Sequence, residues 1–140
     1  AIVDENCQPQ VSGIFACGNV LQVHDLVDYV SDEAERAGRG AAAFVKDGAK
    51  KADYVATKPG FGVRYVLPQQ VNKNADADVS LFLRVTQPFG KCKFTIKAGD
   101  TVLATAKRMM AAPGEMEKLT IKQELLATIN GEITVSLEEV

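Results

Sequence analysis

The stretch Val79-Ser80-Leu81-Phe82-Leu83-Arg84-Val85-Thr86 alternates side-chain character residue by residue, placing Val79, Leu81, Leu83 and Val85 on one side of the backbone. A period of two is the signature of a strand, because successive Cβ atoms point to opposite faces. On its C-terminal side, Gln87-Pro88-Phe89-Gly90 reads as a turn. Cys92, Phe94, Ile96 and Ala98 form a second inward set, Ala98-Gly99-Asp100 turns tightly, and Thr101 to Arg108 returns as the other arm of a hairpin. Further on, Pro113-Gly114 precedes a strand over Met116 to Ile121, and Gln123 to Thr128 fits either a helical turn or a strand. Asn130-Gly131 is a strong turn signal, and Ile133, Val135 and Leu137 alternate in a final strand. On the N-terminal side, Phe61 to Leu67 forms a strand ended by Pro68.

Six or so short strands with Gly and Pro turns predict a mainly β unit over residues 61–140: an antiparallel, immunoglobulin-like β-sandwich whose alternating sets supply a two-sided core of their own. Residues 1–50 read differently. Gly13-Ile14-Phe15-Ala16-Cys17-Gly18 is an apolar run bounded by glycines, expected as a buried strand of an α/β layer. A loop from Asn19 to His24 follows, and Asp25 is expected to cap a helix with Asp28 in its first turn. Leu26, Val27, Val30, Ala34, Ala37, Ala41, Phe44 and Val45 then recur at spacings of mostly three or four, giving that helix one apolar stripe. Its glycines and alanines permit close backbone approach, and Asp47-Gly48 supplies the stop. Residues 51–60 read as a linker, with Lys46, Lys50 and Lys51 as its solvated face.

Composition narrows the classes of function. The chain has 140 residues, 46% of them hydrophobic, and a net charge of -2. It has no basic block interleaved with aromatic residues, which argues against nucleic-acid binding. No apolar run approaches a membrane span, and no signal peptide opens the chain, so a cytoplasmic location is expected. Cys7, Cys17 and Cys92 are odd in number and widely spaced, which fits reduced thiols and neither a disulfide framework nor a metal site. Cys17 and Cys92 are expected to be buried, and Met109, Met110 and Met116 to fill core space. The single histidine, His24, takes a loop position without an assigned role.

"VDENCQPQVSGIFACGNV" (residues 3–20) followed by "LVDYVSDEAERAGRGAA" (residues 26–42) resembles the C-terminal flavin motif of the FAD-dependent pyridine nucleotide-disulfide oxidoreductases, which include thioredoxin reductase-like enzymes. "PGEMEKLTIKQELLATINGEITVSLEEV" (residues 113–140) resembles the C-terminal β-domain appended to a subgroup of these flavoproteins, similar to anaerobic glycerol-3-phosphate dehydrogenase-type subunits. The resemblance implies that residues 1–50 are the end of an FAD-binding domain. Gly18, Asn19, Val20, Leu26 and Val27 would then face the cofactor. Gly18 would allow close backbone approach, Asn19 would meet a cofactor hydroxyl where the family has Asp, and the backbone at Leu26 and Val27 would face the flavin ring. The implied parent moves electrons between NAD(P)H and an acceptor through FAD.

The dinucleotide-cradling loop of such an enzyme is not among these residues. Gly38-Arg39-Gly40 falls late in the helix, and Gly60-Phe61-Gly62 opens a strand. The expectation is therefore a C-terminal fragment, inactive alone, that partners the missing N-terminal FAD and NAD domains and holds no flavin by itself. A homodimer through the helix at residues 25–46 is a further expectation. The alternative is a non-catalytic β-sandwich module for interaction or assembly.

Overall fold

A computed structural model describes all residues from Ala1 to Val140. The strands are β1 (Tyr54–Pro59), β2 (Val63–Leu67), β3 (Gln70–Asn72), β4 (Val79–Val85), β5 (Cys92–Ala98), β6 (Thr101–Arg108), β7 (Glu117–Ile121) and β8 (Ile133–Glu139). The helices are α1 (Val27–Asp47) and the single turn α2 (Gln123–Leu126). The strands form a five-stranded sheet in the order β3-β1-β8-β5-β6 and a three-stranded sheet in the order β2-β4-β7.

The alternation at Val79–Val85 decides the interior. Val79, Leu81, Leu83 and Val85 are each no more than 1% exposed, and Cys92, Phe94, Ile96, Ile133 and Val135 from the larger sheet are fully buried. These residues belong to one cluster of 21 buried side chains drawn from both sheets, so the sheets are two layers over a shared core. Each of its larger aliphatic and aromatic members contributes about 1.5–3 kcal/mol by leaving water. The hairpin of β5 and β6 pairs Cys92 with Arg108 and Ala98 with Thr101 as the sequence predicts, and Gln123–Leu126 resolves as helix.

Three sequence expectations need correction in this layer. Residues 54–59, read as linker, are β1. Only Val55 and Thr57 of this strand turn inward and Pro59 ends it, so its pattern is too short to read as a strand. β1 joins the larger sheet by running parallel to β8, with Thr57 opposite Ile133, so the sheets are not wholly antiparallel. Met109 and Met110 lie 77% and 66% exposed just past the end of β6, where they fill no core.

Residues 1–26 and α1 cover the outer face of the small sheet. Phe82 and Leu67 point away from the main core, yet they are 7% and 3% exposed because Val3 packs on them, flanked by Ala16, Leu21, Tyr65 and Met116. Polar links close the seam. The Val3 N–H donates to Gln69 Oε1 (2.9 Å) and the Tyr54 hydroxyl to Asp4 Oδ2 (2.9 Å), and Glu5 Oε2 accepts from the Asn72 N–H (3.1 Å).

The apolar run at residues 13–18 forms no strand. Ile14 is 53% exposed, and the backbone bonds of the run include Ala16 N–H to the Cys7 carbonyl (2.8 Å) and Ile14 N–H to the Val11 carbonyl (3.3 Å). A buried parallel strand needs neighbours on both edges to pair its backbone, and this chain supplies none beside it.

Candidate functional site

The residues singled out by the flavin resemblance fall in two places, the turn at Gly18–Val20 and the start of α1. Gly18–Val20 is a single 3₁₀ turn, and Gly18 has φ +81°, a left-handed conformation that disfavours any side chain. Nothing lies within 4 Å of where a Cβ on Gly18 would stand, so the backbone there faces open space. The Gly18 N–H donates to Glu33 Oε1 at 2.6 Å, which fixes the turn against α1. Asn19 and Val20 are exposed.

The start of α1 is the second of these places. The N-cap is Leu26 rather than Asp25, and no side chain caps the helix. The Leu26 carbonyl accepts from Tyr29 and Val30, while the N–H groups of Val27 and Asp28 have no partner in the chain. Leu26 and Val27 are 57% and 76% exposed beside them.

Asp25 does different work from the cap expected of it. Its Oδ2 accepts the Met116 N–H at 2.7 Å and its Oδ1 the Arg84 guanidinium at 2.5 Å, tying the helix start to the small sheet. Burial alone would raise this carboxyl, but the Met116 N–H and the Arg84 charge outweigh it and hold it below the ordinary aspartate value.

Beneath the turn lies a buried polar hub that sequence reasoning missed. Glu33, 1% exposed, takes the Gly18 N–H on one oxygen and Gln22 Nε2 (3.1 Å) on the other, and the Tyr65 hydroxyl donates to Gln22 Oε1 (2.9 Å). His24 Nε2 stands 3.0 Å from Glu33 Oε2, at an angle that leaves neither ring nitrogen hydrogen-bonded. The available signal was Glu33 itself, an acid three residues after Val30 and four before Ala37, set in the spacing of the apolar stripe.

The stripe divides along its length. Ala37 is buried, and Phe44 makes an edge-to-face contact with Phe15 at 6.3 Å. Gly40 lies so close to the first segment that a Cβ would meet the Asn6 carbonyl and the Phe15 ring at 2.9 Å, the close approach expected of the small residues. Val27 and Val30 toward the start, Ala34 in the middle and Val45 at the end remain exposed. Toward the small sheet α1 presents its polar flank, including Tyr29, Glu33 and Arg36.

The thiols also separate. Cys7 is buried and its thiol is pushed up to about 11 by desolvation; Cys92 is buried with its thiol raised for the same reason. Cys17, expected to be buried, is exposed, because the strand that would have enclosed it does not form. No three acidic, histidine or cysteine side chains are grouped to hold a metal ion, and no helix is long and apolar enough to cross a membrane. Comparison with known protein families, with characterised proteins and with solved structures finds no match to the chain.

Proposed function

We propose that the chain is the C-terminal portion of a flavoprotein oxidoreductase that passes electrons between NAD(P)H and an acceptor through FAD. In this reading residues 1–50 are the remnant of the FAD-binding domain, and the two-sheet unit is its appended immunoglobulin-like β-domain. What supports it is that the residues the resemblance assigns to the cofactor are open: Gly18 is left-handed with free space beside it, α1 begins with two unpartnered N–H groups, and Val20, Leu26 and Val27 are exposed.

Those residue types fit the cofactor. An open glycine admits a bulky group against the backbone, and free helix N-terminal N–H groups favour negative charge such as a reduced flavin carries. The Asn19 amide offers both an acceptor and donors to a hydroxyl. When bound, FAD supplies the two-electron chemistry. The chain's own part is to position one edge of the cofactor through Gly18, Asn19 and the backbone at Leu26 and Val27, and to shield it from water with Val20. Glu33 fixes the Gly18 turn from behind.

The test is the reading frame upstream of Ala1, followed by spectroscopy of the longer protein. A strand followed by Gly-x-Gly-x-x-Gly and a helix is expected upstream, with flavin absorbance in the purified protein that Asn19→Leu weakens. An upstream frame without a nucleotide-binding unit sinks the proposal. So does stoichiometric FAD on the present 140 residues, which lack the loop that would cradle its pyrophosphate.

The alternative is a non-catalytic interaction or assembly module. It draws on Phe61, 71% exposed and 6.3 Å edge-to-face from Phe89, and on the exposed Met109 and Met110, which precede Ala111, the bridge partner of Phe89. A longer protein without flavin that captures a partner through Phe61 decides for that reading.

A further inference from the structure

Between α1 and the outer face of the β2-β4-β7 sheet lies a cavity of about 130 Å³. His24, Tyr29, Arg36, Phe82, Met116 and Lys118 line it, so it uses none of the five residues assigned to the flavin. Its first feature is His24. The side chain is 2% exposed, it is the only histidine, and both of its ring nitrogens lack a hydrogen bond. A buried polar atom without a partner is costly, and here it borders open space that a polar group can enter.

The second feature is a pair of uncommitted cations. Arg36 lies over the Phe82 ring at 4.8 Å and has the Cys7 thiol, a weak acceptor, as its neighbour. Neither Arg36 nor Lys118 is within 4.0 Å of any carboxylate oxygen, whereas Arg84, also on the outer side of the small sheet, is paired with Asp25. The acids of the cavity do not replace a ligand. Glu33 is engaged by the Gly18 N–H and the Gln22 amide, with His24 Nε2 3.0 Å from its Oε2 but not hydrogen-bonded to it, and Asp32 stands exposed on the helix surface. The third feature is size and polarity. The volume is close to the roughly 150 Å³ that admits a benzene ring, and Phe82 and Met116 supply an apolar floor.

We propose that this cavity binds a small organic carboxylate, its charged end on Arg36, Lys118 and the His24 ring and its apolar body on Phe82 and Met116. A guanidinium presents a planar pair of donors that matches a carboxylate, and stacking on Phe82 holds that plane in place. The site stands independently of the flavin reading and is tested on the 140-residue chain alone.

The single imidazole makes a clean reporter. Benzoate, its uncharged isostere benzamide, and inorganic phosphate are titrated while the His24 ring resonances are followed by NMR. Benzoate is expected to shift them saturably, with an affinity at least about tenfold above that of benzamide and of phosphate. Arg36→Gln is expected to weaken benzoate by about tenfold or more while the backbone amide spectrum keeps its dispersion. Should that variant unfold, Lys118→Gln carries the same expectation. A benzoate response that never saturates overturns the proposal. So do benzamide binding as tightly as benzoate, phosphate binding more tightly than benzoate, and a folded Arg36→Gln of unchanged affinity.

Discussion

The two-sheet unit and the N-terminal segment bury their residues by different means. Between the sheets the interior is a continuous cluster of 21 residues, built from inward sets on both layers and fully closed at Phe94, Ile96 and Ile133. Within residues 1–50 the buried residues are Val3, Asp4, Cys7, Gln22, Glu33 and Ala37, half of them polar. The first region excludes water from its own apolar surface. The second is held to it by hydrogen bonds and ion pairs, and leaves much of its apolar stripe outside. A self-sufficient core and a half-supplied layer therefore share one chain, and opening is expected to begin at the seam.

The largest expected difference is between core aromatics. Phe94→Ala empties a fully buried site and should cost about 3–5 kcal/mol, whereas Phe44→Ala, half-buried against Phe15, should cost clearly less. Urea unfolding of both variants measures this, and equal losses would erase the contrast between the regions.

The seam carries a pH dependence of its own. Glu5 is desolvated with Oε1 unpartnered, and burial raises its carboxyl from 4.5 to about 7 despite the Asn72 N–H. The folded state thus binds this proton more tightly than the unfolded state. The stabilisation is full below about 4.5 and is lost as pH rises through about 7. The change is at most about 3 kcal/mol. Glu5→Gln should remove that slope across the window, and a wild-type slope that persists in Glu5→Gln rules the assignment out.

A smaller effect is expected at the other end of the seam. Asp25→Ala releases the Met116 N–H and one Arg84 contact, but Arg84 keeps the Val23 carbonyl at 2.7 Å and the Pro113 carbonyl at 3.2 Å. About 1 kcal/mol is expected, with faster amide exchange at Met116 as the specific readout. Because the Asp25 carboxyl is held below its ordinary value, this contribution is present above the usual aspartate range and fades as pH falls through it, opposite in sign to Glu5.

The same contrast explains what the sequence made legible. The strands from Val79 onward were readable because each has one face in the main core, which writes a period of two into the residues. β1 was hidden because it splits its ladder between the three-residue β3 and β8, the latter far along the chain, and only two of its side chains turn inward. The run at 13–18 carried the composition of a strand without the neighbours a strand needs, since hydrophobic pattern reports burial demand and not who meets it. Asp25 carried the cap signature, but a carboxylate takes the stronger donors within reach, and those of Arg84 and Met116 come from distant sequence. The hub of Glu33, Gln22 and Tyr65 joins three segments that no local window contains.

The smallest expected effect on stability falls on the outward part of the stripe. Val27 is 76% exposed and buries little surface within this chain, and Val30, 37% exposed, lies at the rim of what α1 covers. Replacing them together as Val27→Glu and Val30→Lys removes two β-branched residues from a helix and adds an acid to its first turn, each mildly favourable. The net change in unfolding free energy should stay within about 0.5 kcal/mol. A loss well above that would show that the stripe is packed in solution and that the two regions bury alike. The same variant reads out what the stripe is for. If the segment at 25–46 pairs with a second copy, sedimentation should show the parent chain as a dimer and the variant as a monomer. If the stripe faces a flavin-bearing domain, the double change in the longer protein should lower flavin content while the 140-residue chain melts as before. A variant that alters neither association nor flavin content would leave the polar seam and the packing of Ala37, Gly40 and Phe44 on the first segment as the only contacts α1 makes.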